Sequence, residues 1–186
     1  MDREAAQTKL LDAAEELFYA RGIQTVGMDD IRSASGVSLK RLYQVFPAKE
    51  QLIEAYLERR DTRWRGRLAE HVETHDDPER RILAVFDWLE LWFGEPGFRG
   101  CAWINSFGEL GAVSDSVRRQ ALRHKTAFRD YLGELVAAAG LPGELADNLL
   151  LLAEGAMVTA GIFGRTDPAR HGRTAAAVLV GAAKNN

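Results

Sequence analysis

Apolar side chains recur along the whole chain at intervals of three and four, the spacing of a single helix face. Leu10, Ala14, Leu17 and Phe18 share such a face, and Gly22 offers a stop. A short segment from about Met28 to Ala34 follows, then Gly36-Val37-Ser38, then a second short segment from Leu39 to Phe46 that Pro47 interrupts. A long helix is predicted from Ala48 to about residue 72, with Leu52, Ile53, Tyr56 and Leu57 as its apolar face. Beyond the polar link from Thr74 to Pro78, the stretch Ile82 to Phe93 is apolar on nearly all sides, broken only by Asp87 and Glu90. A surface helix carries one apolar stripe, so this one is expected to be central and surrounded. Glu95-Pro96-Gly97 ends it, and Ala102 to Leu110 reads as a shorter helix. Ser114 to Ala139 is predicted as a long amphipathic helix with Val117, Ala121, Leu122, Phe128, Leu132 and Leu135 inward. Leu145 to Phe163 and Thr174 to Ala183 are the last two helices. No alternating strand pattern, internal repeat or low-complexity tract interrupts the series, so the expected class is all-α with nine helices.

The segment from 25 to 52 carries the sharpest chemistry. Helix, glycine-containing turn and short helix make a helix-turn-helix arrangement, whose second helix enters the major groove of DNA. Gly36 can take the left-handed conformation that a tight interhelical turn needs, and Ser38 suits the N-cap of the next helix. Ile31, Val37, Leu42 and Phe46 are spaced to join the first helix in a small core. The outer face then carries Lys40, Arg41, Tyr43 and Gln44. Arg and Lys reach guanine, Gln reads adenine, and Tyr hydrogen-bonds phosphate. Leu39 divides between packing and contact with a thymine methyl group. Charge supports this face: residues 1–50 hold seven Lys or Arg against eight Asp or Glu, yet residues 38–49 hold Lys40, Arg41 and Lys49 with no acid.

The residues Met28-Asp-Asp-Ile31, Gly36-Val-Ser38, Leu42-Tyr43, Phe46-Pro47 and Lys49-Glu50-Gln51-Leu52 resemble the TetR family of bacterial transcriptional regulators. The motif match covers about residues 8–57, and Arg99-Gly100-Cys101 with Asn105 resembles a segment found in part of that family. The resemblance implies a nine-helix, two-part fold, with a helix-turn-helix head over 1–47 and a ligand-binding and dimerisation body over 48–186. It also implies a homodimer, and a small molecule that releases operator DNA. Carried over position by position, Ser38, Lys40, Arg41, Tyr43 and Gln44 fall on the recognition helix. Lys49 falls at the phosphate-contacting start of the fourth helix, and Thr25 is a weaker phosphate contact. Several positions depart from the family pattern. Lys40 and Arg41 stand where small residues are more usual, and Val45 stands where Tyr or His often touches phosphate. Ala48 and Gly27 replace capping Ser or Thr, and Arg32 replaces a small Ala and faces either DNA or Asp29.

In the remainder, Trp88 and Trp92 lie four apart on one face, and Phe86, Leu89 and Phe93 continue the apolar surround. Trp103 and Phe107 repeat that spacing, with Asn105 as a polar group nearby, and Phe128 and Tyr131 come from the following helix. Apolar, aromatic surfaces with few polar groups suit small-molecule sites. Phe86, Trp88, Leu89, Trp92, Trp103, Asn105, Phe107, Phe128 and Tyr131 are therefore candidates to line a chamber for a largely apolar effector, the alternative being that they fill a core. The last helices carry Gly155, Ala156, Ala160, Gly161, Ala176 and Gly181, small residues that permit close helix approach. In the family such helices pair across a two-fold axis; packing within one chain is the alternative.

Composition narrows the rest. Hydrophobic residues make up 46% and charged residues 27% of 186, enough to bury a full core. A net charge of −3 excludes a uniformly basic coat but not a local patch. Cys101 is single, so no internal disulfide or thiolate zinc cluster is expected, which suits a reducing compartment. No signal peptide is expected from MDREAAQTKL, and apolar runs are expected to fall short of the roughly 18–20 residues of a membrane span. A cytoplasmic protein with no membrane partner is anticipated. His71 and His75 are four apart, but no third metal ligand is fixed by a motif. Arg59, Arg60, Arg63, Arg65 and Arg67 read as a solvated helix face with i, i+4 partners. No catalytic constellation and no cofactor motif is present, so no enzyme is expected. The expected function is a ligand-responsive, DNA-binding regulator, most simply a repressor of a palindromic operator, and the alternative is a helical interaction module that binds no DNA.

Overall fold

The computed structural model describes residues 2–184. Among the described residues there are nine helices and no strand. They are α1 (Arg3–Arg21), α2 (Met28–Ser35), α3 (Leu39–Val45), α4 (Lys49–Val72), α5 (Pro78–Phe93), α6 (Ala102–Leu110), α7 (Asp115–Ala138), α8 (Leu145–Phe163) and α9 (Asp167–Ala183). The class and the helix count follow the hydrophobic pattern.

Caps fix most of the boundaries. Asp2 accepts the Ala5 N–H at 2.7 Å to open α1, and Asp77 accepts the Glu79 N–H at 3.1 Å to open α5. Two helices start earlier than the apolar pattern predicts. α5 begins at Pro78, because a capped first turn of charged residues precedes Ile82. α9 begins at Asp167 rather than Thr174, again with a proline in its first turn. Gly172 lies inside α9, where a Cβ would meet ring carbons of Phe86 at 3.0 Å. That glycine lets α9 lie close on α5.

By backbone proximity the chain forms two compact units. The first comprises the chain up to Thr62 together with Ala102–Leu122, and the second comprises Arg63–Cys101 with the chain from Arg123 onward. Helices α4 and α7 each run through this division.

In the first unit, α1, α2 and α3 pack on one another. Leu10, Ala14, Leu17 and Phe18 are buried with Ile31, Val37, Leu42 and Phe46, and Phe18 meets Tyr56 of α4 edge-on with ring centroids 5.7 Å apart. Part of the arginine run is tertiary rather than solvated. Arg59 donates to Asp12 at 2.8 Å and to Glu15 at 2.9 Å. Arg60 donates to Glu15 at 3.1 Å and lies 4.0 Å from the Tyr19 ring centroid. These contacts tie α4 to α1.

In the second unit, α5 packs on both α8 and α9, as its all-round apolar pattern predicts. Two of its three acids are answered by α9: Arg173 donates to Asp87 at 2.6 Å, and Arg170 lies 3.1 Å from Glu90. Lys125 of α7 bonds both oxygens of Glu154 on α8, at 2.7 and 2.6 Å, and donates to the buried Cys101 sulfur at 3.3 Å. Two expectations need correction. Leu122 is 68% exposed; the buried stripe of α7 passes through Val117, Ala121, His124, Phe128, Leu132 and Leu135, and position 122 lies a third of a turn off it. α8 is long and apolar enough, by length and composition, to cross a membrane. Asp147 and Glu154 are its only charged residues, and one face of it is buried in this unit through Leu149, Ala153, Met157 and Ala160.

Tyr131, also in this unit, is half-buried, and its hydroxyl has no hydrogen-bond partner. Burial, and secondarily the negative charge of Glu73, pushes its pKa from 10.0 up to about 12. The folded chain therefore keeps that proton where the unfolded chain releases it, so stability falls as pH rises from about 10 towards about 12. Tyr131→Phe is expected to leave the urea midpoint near neutral pH almost unchanged and to flatten the loss above pH 10. An identical alkaline loss in the variant overturns this assignment.

Candidate nucleic-acid interface

The two short helices are joined by a turn in which Gly36 has φ +65° and its N–H bonds the Arg32 carbonyl at 3.1 Å. Ser38 then caps α3, its Oγ accepting the Arg41 N–H at 3.4 Å. The seven residues of α3 divide cleanly into two faces. Leu42 and Val45 are buried, with Phe46 just beyond them, while Leu39, Lys40, Tyr43 and Gln44 are exposed. Arg41 is partly exposed, and its Nη1 donates to Gln44 Oε1 at 3.3 Å. Leu39 and Tyr43 are each 46% exposed, so an apolar and an aromatic group stand in water beside two cations, with no acid on the helix.

The flanking residues have internal partners. Thr25 Oγ1 donates to the Arg21 carbonyl at 2.8 Å and closes the end of α1. Lys49, expected at phosphate, turns its ammonium inward: Nζ donates to the Ile23 carbonyl at 2.5 Å and lies 5.9 Å from the Phe18 ring centroid. Desolvation lowers its pKa, against the opposing pull of Glu109 and Asp30. The start of α4 lies close under the link between α1 and α2, and a long flexible amine finds the nearest buried carbonyl there. Arg32 pairs with Asp29 at 3.3 Å, and Asp30 accepts the Gly27 N–H at 2.7 Å, supplying the cap that Gly27 lacks.

The aromatic candidates do not share one surface. In the second unit Phe86, Trp88, Leu89, Trp92 and Phe128 are buried. Trp64, absent from the expected set, is their hub: its ring centroid lies 5.1 Å from Trp88, 5.6 Å from Trp92 and 5.1 Å from Phe128. Trp88 and Trp92 stack at 5.6 Å with planes 17° apart. Rings in such mutual contact form a packed core. Tyr131 is half-buried in the same unit; in the first unit Trp103 is buried, whereas Asn105 and Phe107 are exposed.

The small residues of α8 and α9 divide similarly. Gly155, Gly161 and Gly181 are exposed, but Ala156, Ala160 and Ala176 are buried within their own chain. A methyl group is small enough to lie between α8 and its neighbours, so these three alanines serve intrachain packing rather than an outward face. The outward stripe of α8 is Leu151, Gly155, Val158 and Ile162, at helical spacing, with Phe163 beside it and Val178 exposed on α9. A groove of about 470 Å³ shares Leu151 and Gly155 with it and lies between α8 and the start of α9, where Pro168 and His171 line it. The large members of that stripe are legible in the sequence as a second apolar face on α8, which attention to its small residues obscured.

Comparison with known proteins bears on this geometry. The model of bacterial regulatory proteins of the tetR family matches residues 10–56. An HTH-type transcriptional regulator of Mycobacterium tuberculosis is 31% identical over 137 residues, which is 70% of this chain and 64% of that relative's length. A crystal structure of a TetR-type transcriptional regulator from Streptomyces avermitilis is 30% identical with a TM-score of 0.82, covering 96% of this chain and 98% of that one. The chain belongs to the TetR family. A TetR-family regulator from Streptomyces coelicolor, 27% identical, superposes with a TM-score of 0.87 over 97% of this chain and 96% of its own. The family model of TetR regulators spans the middle of α1 to the first third of α4, which includes the two-faced α3.

Because the Lys49 ammonium is engaged within the TetR-type head, Lys49→Met is expected to cost stability rather than a phosphate contact. The thermal midpoint should fall by the equivalent of about 1–3 kcal/mol, with the salt dependence of duplex binding unchanged. A salt slope reduced by about one would instead make Lys49 a phosphate ligand.

Proposed function

We propose that this chain is a homodimeric, effector-responsive regulator of transcription in the cytoplasm, which binds double-stranded operator DNA through α3. The observation that carries this reading is the outer face of α3, where Lys40, Arg41, Tyr43 and Gln44 project from a helix whose other face is buried. Guanidinium and ammonium groups suit guanine edges, the Gln amide suits adenine, and the exposed Leu39 suits a thymine methyl. Functionally, residues 1–47 act as the reading head and 48–186 as the body.

A single seven-residue helix reads few base pairs, and a two-fold pair of heads doubles the site. The exposed stripe of Leu151, Gly155, Val158 and Ile162 supports that pairing, since a contiguous apolar patch on a soluble surface marks a contact with another protein. Two such heads would meet successive major grooves about 34–36 Å apart. A largely apolar small molecule seated among the tryptophans would release the operator only by binding a different head spacing more tightly. A coupling of about 1–3 kcal/mol gives a 5- to 150-fold effect. Occupying the operator excludes other proteins from it, so the dimer acts as a repressor.

Selection of bound sequences from a random duplex pool tests the reading. A near-palindrome with half-sites one helical turn or a multiple apart is expected. Against that site, Arg41→Ala should relax preference at one or two positions by about 1–3 kcal/mol each. Equal loss on every duplex would make Arg41 a phosphate contact. An unenriched pool would favour an interaction module that binds no DNA.

Ile162→Glu places a charge on the apolar stripe. Sedimentation should show dimers for the wild-type chain and single subunits for the variant; a dimeric variant removes α8 from the interface.

A further inference from the structure

We infer that Glu109, at the end of α6, is a positioning residue that clasps the link between α1 and α2 and so sets the head for DNA. The inference rests on the DNA-binding reading proposed above, and four observations within the first unit support it. Glu109 Oε2 accepts the Gln24 backbone N–H at 2.8 Å. The Gln24 side-chain amide returns to the Glu109 carbonyl at 2.5 Å, so the two residues bind each other twice. Gly22 makes the approach possible: it has φ +86°, and a Cβ there would meet the Glu109 carboxylate oxygens at 3.0 and 3.1 Å. From the other side the same link is held by Lys49, whose ammonium bonds the Ile23 carbonyl. Residues 22–24 therefore lie between an acid from α6 and a cation from α4.

Five residues beyond Glu109, Ser114 donates its Oγ to Glu50 Oε1 at 3.1 Å. That bond joins the residue preceding α7 to the first turn of α4. α4 and α7 are the two helices that run through the division of the chain. Both begin at this place, within one hydrogen bond of each other. The α1–α2 link is thus held where both helices begin, Lys49 on its Ile23 carbonyl and Glu109 on its Gln24 N–H. A carboxylate on a backbone N–H is a charge-assisted bond, stronger than a neutral one and directional. Without it the α6 side keeps only the Gln24 side-chain amide on the Glu109 carbonyl.

The test uses the full chain and two readouts, amide hydrogen exchange and affinity for the selected operator. In Glu109→Ala the Gln24 amide is expected to exchange about tenfold faster. Operator affinity is expected to fall about five- to tenfold, with an unchanged salt slope because no phosphate contact is lost. Glu109→Gln keeps an acceptor oxygen and should restore most of both. Should Glu109→Ala fail to fold, Gln24→Ala removes only the side-chain arm and should give a smaller loss in the same direction. Unchanged exchange at Gln24 in Glu109→Ala overturns the clasp, and faster exchange with unaltered operator affinity overturns its role in positioning. A wild-type chain that selects no sequence overturns the DNA-binding reading instead, and the exchange measurement then decides the clasp alone.

Discussion

A helix of seven residues does not persist in water by itself, because nucleating its first turn costs more than so few hydrogen bonds return. α3, Leu39–Val45, is such a helix. It exists because Leu42, Val45 and Phe46 are buried against α1 and α2, and because Gly36 and Ser38 set its entry. Anchoring by one face leaves the other free of any structural duty. That is why Lys40, Arg41, Tyr43 and Gln44 can be two cations, an aromatic and an amide without harm to the fold. The chemistry of the outer face and the stability of the inner one are therefore a single constraint: a substitution that loosens Leu42 disperses the outer face without touching it.

Burial elsewhere follows a different rule. In the second unit large rings fill space by meeting edge to face, with Trp64 at the hub and Trp88 and Trp92 stacked beside it. Edge-to-face pairs suit the ring quadrupoles, so the cluster is cohesive without hydrogen bonds. Where helices must lie closer than rings allow, α8 and α9 use alanine and glycine, and Gly172 against the Phe86 ring is the tightest case. Large and small residues thus divide the packing. A small molecule entering among the tryptophans has to displace ring contacts, which is how occupancy there would be felt as a rearrangement rather than as passive filling.

Periodicity made the helices legible, since each of the nine had at least one end within a residue or two of its observed place, as with Leu145–Phe163 and Ala102–Leu110. The turn at Gly36 and the cap at Ser38 were legible because each has a specific local cause. What the sequence concealed was tertiary. Nothing local distinguishes a lysine aimed at phosphate from one aimed at the Ile23 carbonyl, since both sit at a helix start. Trp64 was hidden inside an arginine run. Ala156, Ala160 and Ala176 have the small side chains of an interface between copies, yet the same property serves close packing within one chain. Leu122 shows the converse error, a hydrophobic residue assigned inward on type alone when its angular position on α7 faces water.

The acids of the head explain how a chain of net charge −3 can present a basic face. Asp12 and Glu15 hold Arg59 and Arg60 between α1 and α4. Asp29 pairs with Arg32, Asp30 caps α2, Glu50 accepts from Ser114, and Glu109 accepts from Gln24. Each carboxylate is drawn to a backbone N–H, a hydroxyl or a cation of its own unit, and α3 carries none. Interactions between exposed charges fall off over a Debye length of roughly 8–10 Å, so the charges on α3 itself weigh most with a phosphate that approaches Lys40 and Arg41. Local arrangement, rather than total charge, sets the potential that a nucleic acid would meet.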